Sequence, residues 1–287
     1  MTLREVLTNA EQGGYAIGHF NFATEEQLRA IAEAAALLKA PVMAGTSEGE
    51  QKHLGIKVAV AMAKAMAEET GAVLFLNADH HKSFEAVKEA VDAGYPSVHF
   101  DGSELSFAKN VEVTKQCVQY ARSKNPEISV EGELGYLGGG SQVSEEIVTV
   151  LAEQMTDPVE AKEYCEKTGV DRLAIAIGNV HGIHAKEPNL DFERLSAIRR
   201  AVPEHVVLVL HAGSGISAED IKKAISLGIA NIHISTELRA VFRKELEETL
   251  KEHPEEVAPY KWYPEAVEEM RKLVEEKIRL FGSDKKI

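Results

Sequence analysis

The sequence predicts a single (βα)8 (TIM) barrel, an α/β fold in one domain over residues 1–287 with a C-terminal helical extension, and two observations carry the prediction. Short apolar runs alternate eight times with segments of helical period, which implies parallel strands joined by crossover helices. Histidines and carboxylates collect at the C-terminal ends of those runs, where a barrel of this kind builds its active site. With 287 residues and 44% hydrophobic content the chain can bury a full core, and α/β barrels of roughly 250 residues form one domain.

After a short opening helix, the first strand run is YAIGHFNF (15–22), followed by the amphipathic segment TEEQLRAIAEAAALLKA (24–40). The later strand runs are 41–47, 72–78, 96–102, 127–134, 171–178, 205–213 and 229–236. Helical patterns follow them, opened by capping residues such as Ser83, Asp157, Asp191 and Ser217, whose oxygens can accept from the free N–H groups of a first turn. Gly71, Gly94, Gly169 and Gly228 stand where helices must end in a left-handed turn. The charged stretch from Glu237 onward, broken by KEHPEEVAPYKWYP, leads to a final helix over 264–281 that is expected to pack on the barrel or on a second subunit.

The 46 acidic and 32 basic residues give a formal charge of −14, which argues against nucleic acid or an anionic membrane as partner. Any anionic substrate must then be held by local groups. Cys117 and Cys165 lie in helix-like segments away from any CxxC pairing, so neither a disulfide framework nor a thiolate metal site is expected and a reducing cytoplasm fits. The N-terminus has no apolar signal region, and no apolar stretch is long enough to span a bilayer, so a soluble cytoplasmic protein is expected.

His80, His181 and His211 each end an apolar run, and Asp79 precedes the first. One such histidine among 11 is most simply a hydrogen-bonded structural group, but three in equivalent positions match the way a catalytic Zn²⁺ is held, by three protein ligands with one position open. Glu131 and Glu133 fall late in the fifth run, at the same mouth. The HAGSG turn (211–215) leads into a helix opened near Ser217, so Gly213, Ser214 and Gly215 can bring backbone N–H groups to an anion. ISTE (234–237) can complete that site with hydroxyls, or Ser235 or Thr236 can simply cap the next helix. Strand parity places His19 with Asn21 and His99 with Asp101, both pairs facing the mouth.

Together, GYAIGHFN, PVMAGTSEG, ADHH, DGSEL, VEGELGYLGG, TDP, AIAIGNVHG, EPNLDFERL, HAGSG, ISTEL and KIRLFGS resemble the class II, zinc-dependent ketose-bisphosphate aldolases, in particular the fructose- and tagatose-bisphosphate branch, over nearly the whole chain. The resemblance implies that His80, His181 and His211 bind zinc and that Asp79 transfers the proton of the substrate's C4 hydroxyl. It also implies that Gly182, Ala212, Gly213, Ser214, His233, Ile234, Ser235 and Thr236 hold dihydroxyacetone phosphate, and the expected substrate-binding set includes Asn21 and Ser47. Zinc polarising the C2 carbonyl while Asp79 takes the hydroxyl proton would dispense with a Schiff-base lysine.

The sequence departs from the family pattern at identifiable places. Asn77 replaces the first histidine of HxDH, HAGSG carries Ala212 where the family has glycine, His233 replaces the asparagine of NxxT, and Ala185 takes the place of a lysine, with Lys186 adjacent. Ser141 stands where a mobile-loop glutamate is expected to exchange the C3 proton, and Glu145 or Glu146 could substitute or could simply begin a solvated helix. The extra histidines His19, His99 and His233 could form a repacked polar network around Asn77.

The resulting expectation is a cytoplasmic homodimeric or homotetrameric zinc aldolase that cleaves fructose 1,6-bisphosphate to dihydroxyacetone phosphate and glyceraldehyde 3-phosphate. Alternatives are tagatose 1,6-bisphosphate or another phosphorylated ketose as substrate, and a non-catalytic homologue that binds zinc or a sugar phosphate. A metal-dependent phosphohydrolase built on the Asp79–His80 pair ranks below these, because the pair follows a strand.

Overall fold

The computed structural model describes residues 1–138, 140, 142–144 and 150–287. The elements, in order, are α1 (Leu3–Gly13), β1 (Ile17–Asn21), α2 (Glu25–Leu38), β2 (Val42–Ser47), α3 (Glu48–Leu54), α4 (Ile56–Thr70), β3 (Leu74–His81), α5 (Phe84–Ala93), β4 (Ser97–Phe100), α6 (Phe107–Lys124) and β5 (Ser129–Leu134). There follow α7 (Pro158–Thr168), β6 (Arg172–Ile175), α8 (Phe192–Ala201), β7 (Val207–Leu210), α9 (Ala218–Ser226), β8 (Ile229–Ile234), α10 (Thr236–Glu252) and α11 (Pro264–Phe281). The strands are parallel and close in the order β1 to β8, with β8 pairing back onto β1. No helix among the described residues is long and apolar enough to cross a membrane.

Local chemistry sets the element ends. Ser83, Asp157, Asp191 and Ser217 each accept a hydrogen bond from a first-turn N–H, and Gly71, Gly94 and Gly169 take the left-handed C-cap. Gly228 also has a positive φ, one residue beyond the cap Leu227. β6 and β7 are shorter than their apolar runs. Beyond them the Asn179 side chain takes over the backbone bonding, accepting from Ile177 N–H and donating to the carbonyls of Ile175 and His211.

Residues facing outward from the strands, such as Phe20, Val98, Leu208 and Ile232, are buried with the inner faces of the helices in the main core. α1 covers the N-terminal end of the barrel, where Leu3, Val6, Leu7 and Ala10 cluster with Ile17, Met43, Val207 and Ala230. α11 packs against α2 and α10 and buries Ala266, Met270, Val274, Ile278 and Phe281 along one stripe. Most of its other charged residues face outward, while Lys277 is buried and pairs with Glu237 of α10, so the extension belongs to the barrel wall.

β3 carries the irregularity that builds the site. Its register against β4 shifts between Ala78 and His81, and His80 has φ +50. In a regular strand consecutive side chains point to opposite faces, whereas a bulge adds a residue and re-aims it. Asp79 and His80 therefore both line the cavity at the barrel mouth.

Candidate active site and metal centre

A cavity of about 330 Å³ opens at the C-terminal end of the barrel. Its walls include Asp79, His80, His181 and His211, together with Asn21, Ser47, Gly182, Ala212, Ser214, His233, Ser235 and Thr236. Two expected substrate residues lie elsewhere. The Ile234 side chain is in the core outside the barrel, and Gly213 packs on β8, where a Cβ would meet Ile232, Ile234 and the His233 carbonyl at 2.8–3.0 Å.

The three histidines share one pattern of bonding. His80 Nδ1 is 3.1 Å from Asp101 Oδ2, His211 Nε2 is 2.6 Å from Glu131 Oε1, and His181 Nδ1 is 3.3 Å from the Leu137 carbonyl. Each oxygen is an acceptor, so each ring donates one N–H and leaves its other nitrogen without an oxygen partner among the described residues, the arrangement typical of metal-ligating histidines. His80 Nε2 and His211 Nδ1 face one another at 2.9 Å, a contact that one shared proton bridges and that a metal ion would take over. Ring centroids are 4.6 Å apart for His80 and His211, 5.0 Å for His80 and His181, and 6.4 Å for His181 and His211.

The largest group of possible ligand atoms among the described residues, all within 4.8 Å of one another, takes in Asp79, His80, His99 and His211 rather than His181. His99 is already committed: its Nδ1 accepts from His80 N–H at 3.2 Å and its Nε2 lies 3.2 Å from Glu133 Oε2. His181 stands outside that group, its ring centroid 5.0 Å from that of His80, with its second nitrogen free of a partner among the described residues. The donor chemistry fits a divalent ion of the zinc type.

Electrostatics divides the groups between neutral and charged forms. Burial pushes the His181 imidazole down to about 4 and holds His211 and His233 well below their ordinary value, which keeps lone pairs available. Burial by itself raises the Asp79 carboxyl, but His80, His19 and hydrogen bonds from His233 and His99 outweigh it and leave Asp79 well below the usual carboxylate range. Asp79 Oδ2 accepts from Asn21 Nδ2 at 3.0 Å, while the buried Oδ1 has no hydrogen-bond partner among the described residues. Oδ2 is oriented by Asn21, and the buried Oδ1 lies 3.4 Å from His233 Nδ1 and 3.8 Å from His99 Nδ1.

The anion side rests on the start of α10 more than on the HAGSG turn. The Gly213 N–H donates to the His233 carbonyl, and Gly215 N–H donates to Glu237 Oε1 at 2.8 Å, so two of the three N–H groups expected there are engaged. Ser235 is the N-cap of α10, yet its side chain makes no capping bond, and its buried hydroxyl is without a partner among the described residues. With Thr236 it presents a helix N-terminus to the cavity, a natural place for a phosphate. Ala212 has φ +56, a left-handed conformation in which the methyl is tolerated at the cost of some strain.

The extra histidines pack as one assembly. His19 stacks on His233 with centroids 3.6 Å apart, its Nε2 lies 3.1 Å from Asn77 Nδ2, and His233 in turn lies against His211 at 3.9 Å. Gly45 makes this possible, since a Cβ there would meet His19 Cε1 at 2.1 Å. Sequence reasoning did not single out Glu50, Arg172, Asn179 or Arg239. Ser47 forms a capping box with Glu50, whose other oxygen meets Arg239 at 2.6 Å at the cavity rim. Ser141, Glu145 and Glu146 lie outside the described residues.

Comparison with known proteins places this site in context. The chain is similar over 99% of its length, and over 98% of the other chain, to the YdjI aldolase from Escherichia coli K12, with 34% identity and a TM-score of 0.84. The fructose-bisphosphate aldolase (Fba) of Campylobacter jejuni has the same fold, with a TM-score of 0.83 at 22% identity over 99% of this chain and 95% of that one. The sequence model of the family "Fructose-bisphosphate aldolase class-II" matches residues 1–286. The chain therefore belongs to the class II fructose-bisphosphate aldolases, which are metal-dependent aldehyde-lyases.

Proposed function

We propose that the protein cleaves a ketose 1-phosphate, with fructose 1,6-bisphosphate as the first candidate, into dihydroxyacetone phosphate and an aldehyde, using His80, His181 and His211 as ligands of one Zn²⁺. The observation that carries this reading is that all three imidazoles spend one nitrogen on an oxygen acceptor and keep the other, in a cavity that also holds an ionised Asp79. When bound there, the metal would polarise the C2 carbonyl and so stabilise the negative charge that develops as the C3–C4 bond breaks.

The chain's own residues supply the rest. The phosphate sits against Gly182, Ser214, Ser235 and Thr236 at the start of α10, which fixes the three-carbon half of the substrate. Asp79, oriented by Asn21, takes the C4 hydroxyl proton and turns the C4 oxygen into the aldehyde carbonyl as C3–C4 cleaves. C3, left with the electron pair of the broken bond, then gains a proton, which water in the open cavity can supply. The two buried free cysteines fit a reducing cytoplasm, and assembly as a homodimer or homotetramer remains part of the proposal.

A second reading concerns the aldehyde half. Among the described residues, the two cations that line the cavity are both paired, Arg239 with Glu50 at 2.6 Å and Lys82 with Glu104 at 3.0 Å, and Asp101 lines it too. Such a surface offers little to a second phosphate, which favours a ketose whose aldehyde half is uncharged. Release of dihydroxyacetone phosphate from fructose 1,6-bisphosphate, tagatose 1,6-bisphosphate and fructose 1-phosphate, before and after chelation, tests both readings. Turnover abolished by chelation supports the metal aldolase, and its absence from all three substrates would refute the proposed activity. A higher kcat/KM for fructose 1-phosphate than for the bisphosphates would favour the second reading.

A further inference from the structure

A charged side chain lies at the centre of the barrel, where branched apolar residues normally fill the layers. Arg172, the first residue of β6, is fully buried. Its Nε donates to Ser129 Oγ at 3.2 Å, Nη1 donates to Asn231 Oδ1 at 3.0 Å and contacts Glu131 Oε2 at 2.5 Å, and Nη2 donates to Asn77 Oδ1 at 3.1 Å and Ser97 Oγ at 2.5 Å. Four hydrogen bonds therefore run from the guanidinium to oxygens of β3, β4, β5 and β8, and an ion pair joins it to Glu131. A buried ion pair is often no more stabilising than apolar residues of the same volume, so stability alone does not account for it.

The geometry points to what it does. Glu131 is engaged at both oxygens, Oε2 by an ion pair with Arg172 Nη1 at 2.5 Å and Oε1 by a hydrogen bond from His211 Nε2 at 2.6 Å. Fixing that carboxylate fixes the tautomer and the angle of the His211 ring, and so the direction of its bare Nδ1 towards His80. We propose that Arg172 is a positioning residue for the metal centre, acting in series through Glu131 on His211. The inference rests on the three-histidine reading of the site. Lysine could keep the charge but, with three donors on one atom, could not tie β3, β4, β5 and β8 together.

The test measures Zn²⁺ affinity by competition with a chromophoric chelator, alongside thermal melts of the same metal-free samples, for wild type, Arg172→Met, Arg172→Lys, Glu131→Gln, the Arg172→Met/Glu131→Gln double variant and His211→Ala. Loss of partners that hold a metal-ligating histidine typically costs 10- to 100-fold in metal affinity. Arg172→Met and Glu131→Gln should each weaken Zn²⁺ by about that factor, Arg172→Lys by less, and the double variant by no more than either single change. The double variant also leaves no unpaired charge, so it keeps the comparison available if Arg172→Met alone fails to fold. Wild-type Zn²⁺ affinity in Arg172→Met or in the double variant, or losses that multiply in the double variant, would overturn the series relay and leave Arg172 a purely structural group. If His211→Ala itself keeps wild-type affinity, the three-histidine reading is what has failed.

Discussion

Asp79 is the residue on which turnover should depend most directly. It is ionised, it lines the cavity, and its two oxygens are set by Asn21 on one side and His233 on the other. General-base catalysis of this kind contributes typically 10²- to 10⁴-fold, so Asp79→Ala should lose about that much in kcat while retaining its metal, as judged by elemental analysis beside the kinetics. Unchanged turnover would remove Asp79 from the mechanism. Asp79 and the three histidines were legible because each lies at the end of an apolar run, and the parity of His19 and His99 announced a polar interior that the structure shows in detail. Arg172 was not legible, because a charge at the start of DRLAIAIG resembles the solvated rim of a strand. Glu50 was hidden for a related reason: in SEGEQKH it has the composition of an exposed helix start, and only the fold brings Arg239, nearly two hundred residues later, to its carboxylate.

At the scale of elements, the alternation of runs located all eight strands, and capping residues located the helices, while strand ends were set by side chains that no periodicity reveals. Asn179 ends β6 by occupying backbone groups, and the bulge in β3 turns two consecutive residues into the cavity. Glycines separate the elements that carry the fold from those that carry the site. A Cβ on Gly45, inside β2, would collide with His19 at 2.1 Å where the interior has no slack, so Gly45→Ala should lower stability by about 1–3 kcal/mol, measurable in urea melts. Gly182 follows a proposed ligand in a loop at φ +102, and a Cβ there would sit 2.6 Å from the Gln142 carbonyl and 2.7 Å from that of Gly140. Gly182→Ala should therefore shift the loop and reduce kcat/KM by at least about 10-fold, since a displacement of about 1 Å can cost as much as 100-fold, while the melting midpoint changes little. A large loss of stability in Gly182→Ala with intact kinetics would reverse that assignment.

The whole molecule stores its chemistry as buried imidazoles, and that has a consequence for stability against pH. Burial pushes His19, His81 and His181 down to about 4, whereas in the unfolded chain each titrates near its ordinary value of about 6.5. Between those values the unfolded state binds more protons than the folded one, so stability rises with pH across the window from about 4 to 6.5 and is lost as the protein is acidified. A shift of this size corresponds to about 3 kcal/mol per group. His80 and His99 are raised, burial being outweighed for His80 by Asp79 and for His99 by Glu131, and their contribution is fully present below about 6.5 and declines only above it. The loss on acidification is therefore set by the lowered histidines, and it is clearest in chelated protein, where no metal competes for the lone pairs. Urea midpoints of chelated protein should fall from pH 7 to pH 5, with the slope reduced in His81→Gln, a variant outside the proposed ligand set whose Nε2 bonds only to Gln51. A midpoint that stays constant over this range would mean that the histidines are not held neutral, and the availability of their lone pairs for a metal would lose its physical basis.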